Sequence, residues 1–382
     1  MKILFLSSWY PTTSNPNFGI FVKEHAHAIK TGGNEILVFA FVISKNKELW
    51  TQSVTDFFDE NGVRTIIIEI KTKFKDILYY LIPIQFIILK KIFAKIILPD
   101  FTPDIIHSNV VFPAGIFGEH LSKLVKKPHV ITEHWSRLNG LMKKPILSKL
   151  ALKAYNKASY ILPVSRFQST RMIKMLPTVQ TNKYRVVGNV IDSETFFFKT
   201  KTPNISEISF CAVATWTNKK VPDKLPELFI EALANLQTEY KQTFILTMIG
   251  GGDKVEELKK LCESNGLKSN FIGYQTKTEI SKYLQLSDFL VHASSIETFG
   301  VVVVEALMCG TPVICSNVGA LPELINESNG VLCENTIDEW VEGIKKALSS
   351  KFNSKQISVD TGTSFSLESI GNQINEVYKK LL

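Results

Sequence analysis

Two glutamates eight residues apart, Glu297 and Glu305, are the side chains of this 382-residue sequence best placed to do chemistry. The apolar run Phe289–His292 reads as a strand, followed by Ala293–Gly300 and then by Val301–Val304, Glu305, Ala306 and Leu307, an apolar helix start. If the helix begins near Thr298, one carboxylate stands in the loop and the other about two turns in, beside N–H groups that a first helical turn leaves unpaired. Carboxylates accept hydrogen bonds from vicinal hydroxyls, and N–H groups beside Gly300 leave room for phosphate or sugar oxygens, so the arrangement suits an oxygen-rich ligand. The helix dipole by itself favours Glu297 with no ligand; Glu305, inside an apolar run, is harder to account for that way.

Other residue types narrow the chemistry. The first apolar run, Ile3–Leu6, leads into a loop, Ser7–Gly19, that holds Trp9, Tyr10, Pro11 and Pro16. Gly19 stands where backbone can approach a phosphate, although a tight turn asks for the same residue. His25 and His27, two apart on a helix, point to different faces and do not share an ion. No D-x-D or H-E-x-x-H pattern occurs, so neither a catalytic metal nor a cofactor is expected. His107 and His134 each end an apolar strand, where a satisfied core histidine is the plainer account. The five cysteines, Cys211, Cys262, Cys309, Cys315 and Cys333, are odd in number and lack C-x-x-C spacing; they read as small buried hydrophobes in a reducing compartment.

The elements that position these residues are short apolar runs of the kind found in buried parallel strands. In the first half they are Ile3–Leu6, Glu35–Val42, Thr65–Ile70, Ile105–His107, His129–Thr132 and Tyr160–Val164, separated by stretches of helical spacing. After residue 200 the pattern restarts with Ile208–Ala214, Phe244–Ile249, Asn270–Ile272, Phe289–His292, Pro312–Cys315 and Gly330–Leu332. This is α/β alternation in two domains, 1–195 and 196–365, with Phe198–Glu207 as linker. Leu367, Ile370, Ile374, Val377 and Leu381 give the last segment, 366–382, an amphipathic helix that returns to the first domain. No internal repeat is present.

Charge is uneven: residues 1–190 hold 26 Lys and Arg against 12 Asp and Glu, while residues 191–382 hold 18 against 24. A basic half beside an acidic one suits an anionic partner such as a phosphate-bearing acceptor or an anionic lipid, or simply reflects solvated lysines. Ile3–Leu6 is too short for a signal-peptide core, so a cytoplasmic location is expected. The segment 71–97, KTKFKDILYYLIPIQFIILKKIFAKII, is apolar at its centre and flanked by lysines. It is shorter than the roughly 20 apolar residues of a membrane span, which leaves a buried helix, interrupted at Pro83, or an interfacial one on an anionic membrane.

The run SSIETFGVVVVEALMCGTPVICSNVGALPELINESNGVLC resembles the nucleotide-sugar signature of retaining glycosyltransferases of family 4, with its Glu-x7-Glu core. SSWYPTTSNPNFGIFVKEHAHAI resembles the family's N-terminal strand, glycine loop and helix; VVGNVIDSETF, IGGGD and FIGYQTKTEI resemble further landmarks. The resemblance spans most of the chain and is weakest from Lys45 to Pro99. It implies the GT-B fold, two Rossmann-like domains facing across a cleft, with the donor held mainly by the second and the acceptor by the first. By the resemblance Glu305 binds the nucleotide ribose and Glu297 the transferred sugar. Thr298, Phe299, Gly300 and Val301 offer backbone donors, Gly19 approaches the diphosphate, His134 lies near the reacting sugar, and Lys220 or its neighbour Lys219 binds phosphate. One departure stands out: Thr215 occupies the place of the family's arginine, and threonine lacks the bidentate fork.

The expected reaction is therefore metal-independent, retaining transfer from a nucleotide-sugar to a lipid-linked or surface-polysaccharide acceptor. Front-face attack is the expected course, with the departing phosphate taking the acceptor proton. Two rivals are a nucleotide-sugar 2-epimerase of the same fold and a non-enzymatic nucleotide- or polyanion-binding protein. No basic-aromatic motif supports nucleic acid as a partner.

Overall fold

The computed structural model describes residues 1–13, 15, 18–202, 204–219 and 223–382. They form two compact units, Met1–Val190 with Leu367–Leu382, and Ile191–Ser366. The boundary lies five residues before the sequence-based one. Ile191 donates its N–H to the Phe365 carbonyl at 2.9 Å, and Ile191 and Phe196 are buried, which ties 191–195 to the second unit. The expected linker Phe198–Glu207 is without helix or strand up to Ser206, Pro203 lying outside the described residues.

In the first unit the strands are β1 (Lys2–Ser7), β2 (Glu35–Lys45), β3 (Thr51–Phe58), β4 (Arg64–Thr72), β5 (Ile105–Asn109), β6 (His129–Glu133) and β7 (Tyr160–Pro163). Their order across the sheet is β3-β4-β2-β1-β5-β6-β7. Every pairing is parallel except β3 with β4. The chain thus starts at the centre, fills one side and returns to the centre to fill the other, with Ser7 in register with Asn109 where the direction changes. The inner strands are apolar runs buried on both faces, as parallel strands under helices require. β3 is the strand the sequence did not show: all eight of its residues are exposed, so it carries no apolar run.

Helix α1 (Ile20–Thr31) packs against the C-terminal helix Leu367–Lys379, which returns to this unit. A Cβ on Gly371 would lie 2.4 Å from the Ala28 carbonyl oxygen, so the two backbones approach as only glycine permits. Asn375 accepts from Asn34 and donates to the Gly32 carbonyl, both at 2.5 Å, which closes the polar ends of that contact. The segment 71–97 contains the single turn α2 (Lys75–Leu78) and helix α3 (Ile82–Ile92). Pro83 does not interrupt α3 but stands in its first turn, where its missing N–H costs nothing.

The second unit has β8 (Glu207–Val213), β9 (Thr243–Ile249), β10 (Lys268–Gly273), β11 (Phe289–His292), β12 (Val313–Ser316) and β13 (Gly330–Cys333). All pair in parallel in the order β10-β9-β8-β11-β12-β13. It repeats the centre-out order of the first unit without the antiparallel edge. Both units are Rossmann-like, and their direction changes at β1/β5 and β8/β11. Loops that leave the carboxyl ends of such strand pairs are where α/β sheets bind ligands. The five cysteine thiols are free and buried.

Candidate functional site

The loop after β11 and the segment after β8 are joined beyond the carboxyl ends of those strands. Lys224 and Ser294 form an isolated antiparallel bridge, Leu225 donates its N–H to the Ala293 carbonyl at 3.1 Å, and the Ser294 hydroxyl donates to the Asp223 carbonyl at 2.8 Å. Ser294, Ser316 and Asn335 hold the loop from the other side through bonds of 2.6–3.0 Å. Gly319 completes the support. It has φ 60°, a Cβ there would lie 2.0 Å from the Glu297 carbonyl oxygen, and Ala320 donates its N–H to that same oxygen at 3.0 Å. The position of the Glu297 loop is therefore set by three other segments of the second unit, 223–225, 316–320 and Asn335.

The bridge brings Lys224 onto Glu297. Its ammonium lies 2.6 Å from Oε2 of Glu297 and 3.1 Å from Nε2 of His292, which is itself 3.3 Å from the same carboxylate. One ring nitrogen cannot both donate to Glu297 and accept from Lys224, but in either tautomer Glu297 keeps the ammonium. Burial pushes the Glu297 carboxyl up, and the His292 hydrogen bond with the Lys224 charge more than offsets it, bringing the pKa to about 2. Burial and the Lys224 charge lower that of His292, which is neutral at pH 7. The site is thus an ionised, half-buried carboxylate matched by one ammonium.

Of the remaining expected residues, Gly300 caps the helix Val301–Met308 with φ 92°, a conformation that favours glycine. Phe299 is buried against the Phe365 ring at 5.5 Å, so its side chain belongs to the core and only its backbone is available to a ligand. Thr298 is half-buried at the start of that turn, and Glu305 is buried within the helix. Lys219 is turned to Asp223, Lys220 lies outside the described residues, and Thr215 is exposed beside buried Trp216. Lys224 is the residue that sequence reasoning missed. It is the third lysine of TWTNKKVPDK, two places before the proline that opens the helix Pro226–Leu236, and only its pairing with Ser294 distinguishes it from its neighbours.

In the first unit, Gly19 begins α1 with φ 73°, and a Cβ there would lie 2.4 Å from the Trp9 carbonyl oxygen. Within the loop that precedes it, Ser14, Pro16 and Asn17 lie outside the described residues. His134, just past β6, lies with Nε2 3.0 Å from Oδ1 of Asn109 at the end of β5, its ring tilted against Phe21 and edge-on to His25. Nδ1 of His134 and Nδ2 of Asn109 are buried without a partner among the described residues, the condition of groups that await a ligand or water. Burial, with the nearby His25, holds the His134 ring well below its usual pKa and so neutral. His107 is occupied, between Tyr378 at 2.5 Å and Thr132 at 2.7 Å. Among the described residues no three His, Cys, Asp or Glu side chains gather where a metal ion could be held.

The sequence model of Glycosyltransferase Family 4 matches residues 19–195, and that of Glycosyl transferases group 1 matches residues 215–360. The chain is 26% identical over 291 residues to an uncharacterized glycosyltransferase, MJ1178, of Methanocaldococcus jannaschii, covering 73% of this chain and 76% of that protein. It is 26% identical over 355 residues to the putative teichuronic acid biosynthesis glycosyltransferase TuaC of Bacillus subtilis, covering 87% and 85%. In fold it is similar to Anabaena HepE, solved in complex with UDP-glucose, with TM-score 0.70, 19% identity and 100% of both chains covered. With both sequence models in their expected order on two Rossmann-like units, the chain belongs to glycosyltransferase family 4 and is an enzyme of GT-B fold that transfers glycosyl groups.

Proposed function

We propose that the enzyme moves a sugar, with retention of anomeric configuration and without a catalytic metal, from a nucleotide-diphosphate sugar to a lipid-linked acceptor of surface-polysaccharide synthesis. The observation that carries this reading is the Lys224–Glu297 pair at the direction change of the second sheet. An arriving diphosphate competes with Glu297 for the ammonium. Lys224 then stabilises the leaving group, and the freed carboxylate accepts hydrogen bonds from the sugar hydroxyls. Lys224 takes the part expected of Lys219 or Lys220. Glu305 holds the ribose, and the N–H groups of Thr298 to Val301, at a helix start, face the diphosphate or sugar.

In the first unit the N–H groups that open α1 behind Gly19 suit a phosphate oxygen, and neutral His134 offers Nδ1 to a hydroxyl. The glycosyl–phosphate bond breaks through an oxocarbenium-like transition state, and the departing phosphate takes the acceptor proton on the face that the acceptor attacks. Support for the donor class comes from HepE, which holds UDP-glucose, and for the acceptor class from the teichuronic acid role in the name of TuaC. The reaction places the enzyme at the cytoplasmic face of the membrane.

The test follows the anomeric proton by NMR while purified enzyme consumes an α-linked donor in the presence of lipid extract. An α-linked product is expected. A β-linked product removes retention, and an epimerised donor with no acceptor product removes transfer.

A further inference from the structure

The segment that helps to line a concavity at the carboxyl ends of β1 and β2 also presents an apolar surface to water. Helix α3 buries Ile82, Gln85, Leu89 and Ile92 in the first unit's core. The outer side of α2, α3 and the residues beside them is also apolar: Phe74, Ile77, Tyr80, Leu81, Ile84 and Ile87 are all exposed, Ile77 to 61% and Ile87 to 67%. Helices at a solvent surface ordinarily turn a polar face outward, so an apolar outer face marks an interaction site.

The charges around this ridge are mostly positive, with Asp76 of α2 the exposed exception. Lys73, Lys90, Lys91 and Lys95 are exposed beside it, and no Asp or Glu occurs from Ile77 to Pro99. Apolar side chains ringed by lysines match an anionic bilayer, where the first enter the acyl boundary and the second meet phosphates. No helix among the described residues is long and apolar enough to cross a membrane, so the contact is superficial.

The concavity, about 330 Å³, is lined by Trp9, Lys75, Asp76, Tyr79, Tyr80 and Gln85 among others, so it offers an ammonium beside a carboxylate. Gln85 is fully buried, gives its amide N–H groups to the carbonyls of Leu78 and Tyr79, and has no partner for Oε1 among the described residues. Aromatic walls with an ammonium and an unmatched amide oxygen suit a hydroxylated, phosphate-bearing head group.

We propose that the α2–α3 ridge docks the enzyme on an anionic bilayer and that the adjoining pocket takes the polar head of an acceptor held in that bilayer. The second part rests on the transfer reading given above; the first does not. Docking is tested by flotation with vesicles of phosphatidylcholine alone and of phosphatidylcholine with phosphatidylglycerol, at low and high salt, with no donor or acceptor present. The protein is expected to partition at least about tenfold more strongly onto the anionic vesicles at low salt and to lose that preference at high salt.

Two variants separate the contributions. Lys73/Lys90/Lys91/Lys95→Glu should abolish the anionic preference, and Ile84→Ser with Ile87→Ser should weaken flotation while leaving the lysines in place. All six side chains are exposed, so both variants should keep wild-type circular dichroism and melting. Equal flotation on both vesicle types, or none on either, overturns docking. So does a stable dimer that Ile84→Ser with Ile87→Ser dissociates, since a second copy would then own the face. A protein that floats as expected but transfers no sugar keeps docking and loses the transfer reading; one that glycosylates acceptors in solution and never floats does the reverse.

Discussion

Glu297 is an anion at neutral pH in spite of its burial because the His292 hydrogen bond and an ammonium 2.6 Å from one of its oxygens outweigh desolvation, and that proximity makes Lys224 the most informative residue to remove. Lys224→Ala should lower kcat by roughly a hundred- to a thousandfold, the usual consequence of deleting one group that meets developing charge. The effect is checked under donor saturation, and turnover within threefold or so of wild type would place the phosphate elsewhere. Glu305→Ala should weaken donor affinity by about 1.5–3 kcal/mol, whereas Glu297→Ala should lower turnover more than affinity. Calorimetry with the nucleoside diphosphate and with the whole donor separates the two. Thr215→Arg, which restores the family's fork, should tighten the diphosphate; unchanged affinity would mean that buried Trp216 beside it has reshaped the pocket. The two glutamates were legible because their spacing and apolar context are local properties. Lys224 was not, since its place is fixed by a bridge to Ser294, seventy residues on.

The loop that carries Glu297 depends on neighbours that contribute no chemistry. At Gly319 a methyl group would sit 2.0 Å from the Glu297 carbonyl oxygen and 2.9 Å from its nitrogen, on backbone with φ 60°. Gly319→Ala should therefore cost about 1–3 kcal/mol of stability in the second unit and lower turnover as the loop shifts. Gly33→Ala is the control. Its φ is 83° but a Cβ there meets nothing within 4 Å, so urea unfolding should show a smaller loss and kcat should not change. The twelve apolar runs read from the sequence are all strands, and in most of them burial on both faces leaves a continuous hydrophobic signal, although the edge strand β10 buries none of its residues fully. β3 had no such signal: its partner is β4 alone, its side chains face water, and TQSVTDFF is too polar to be told from a loop. Pro83 misled for a different reason: proline opens a helix as readily as it breaks one, and here it stands in the first turn behind buried Ile82.

Across the molecule the titratable core is concentrated in the first unit, which buries His25, His107, His129 and His134. Burial lowers the pKa of His25 to about 4 and that of His129 to about 3, and it also lowers those of His107 and His134. An unfolded histidine titrates near 6.5, so below that pH the unfolded chain binds more protons than the folded one and stability falls as pH falls. From pH 7 to pH 5 His25 and His129 should each remove about 2 kcal/mol, while Glu133, whose pKa burial raises, pulls the other way. Melting followed between pH 7.5 and pH 5 should show a falling first-unit transition, and a flat profile would mean that these rings are hydrated. The larger claim is that the chain binds a nucleotide-sugar through the loops of its second unit. The direct measurement is a thermal-shift panel of UDP-, GDP-, ADP- and CDP-sugars on wild type and Glu305→Ala. One donor, at a hundred times its dissociation constant, should stabilise wild type by about 2.7 kcal/mol and the variant by clearly less. Stabilisation by none of them, or by the same amount in both proteins, would contradict the account.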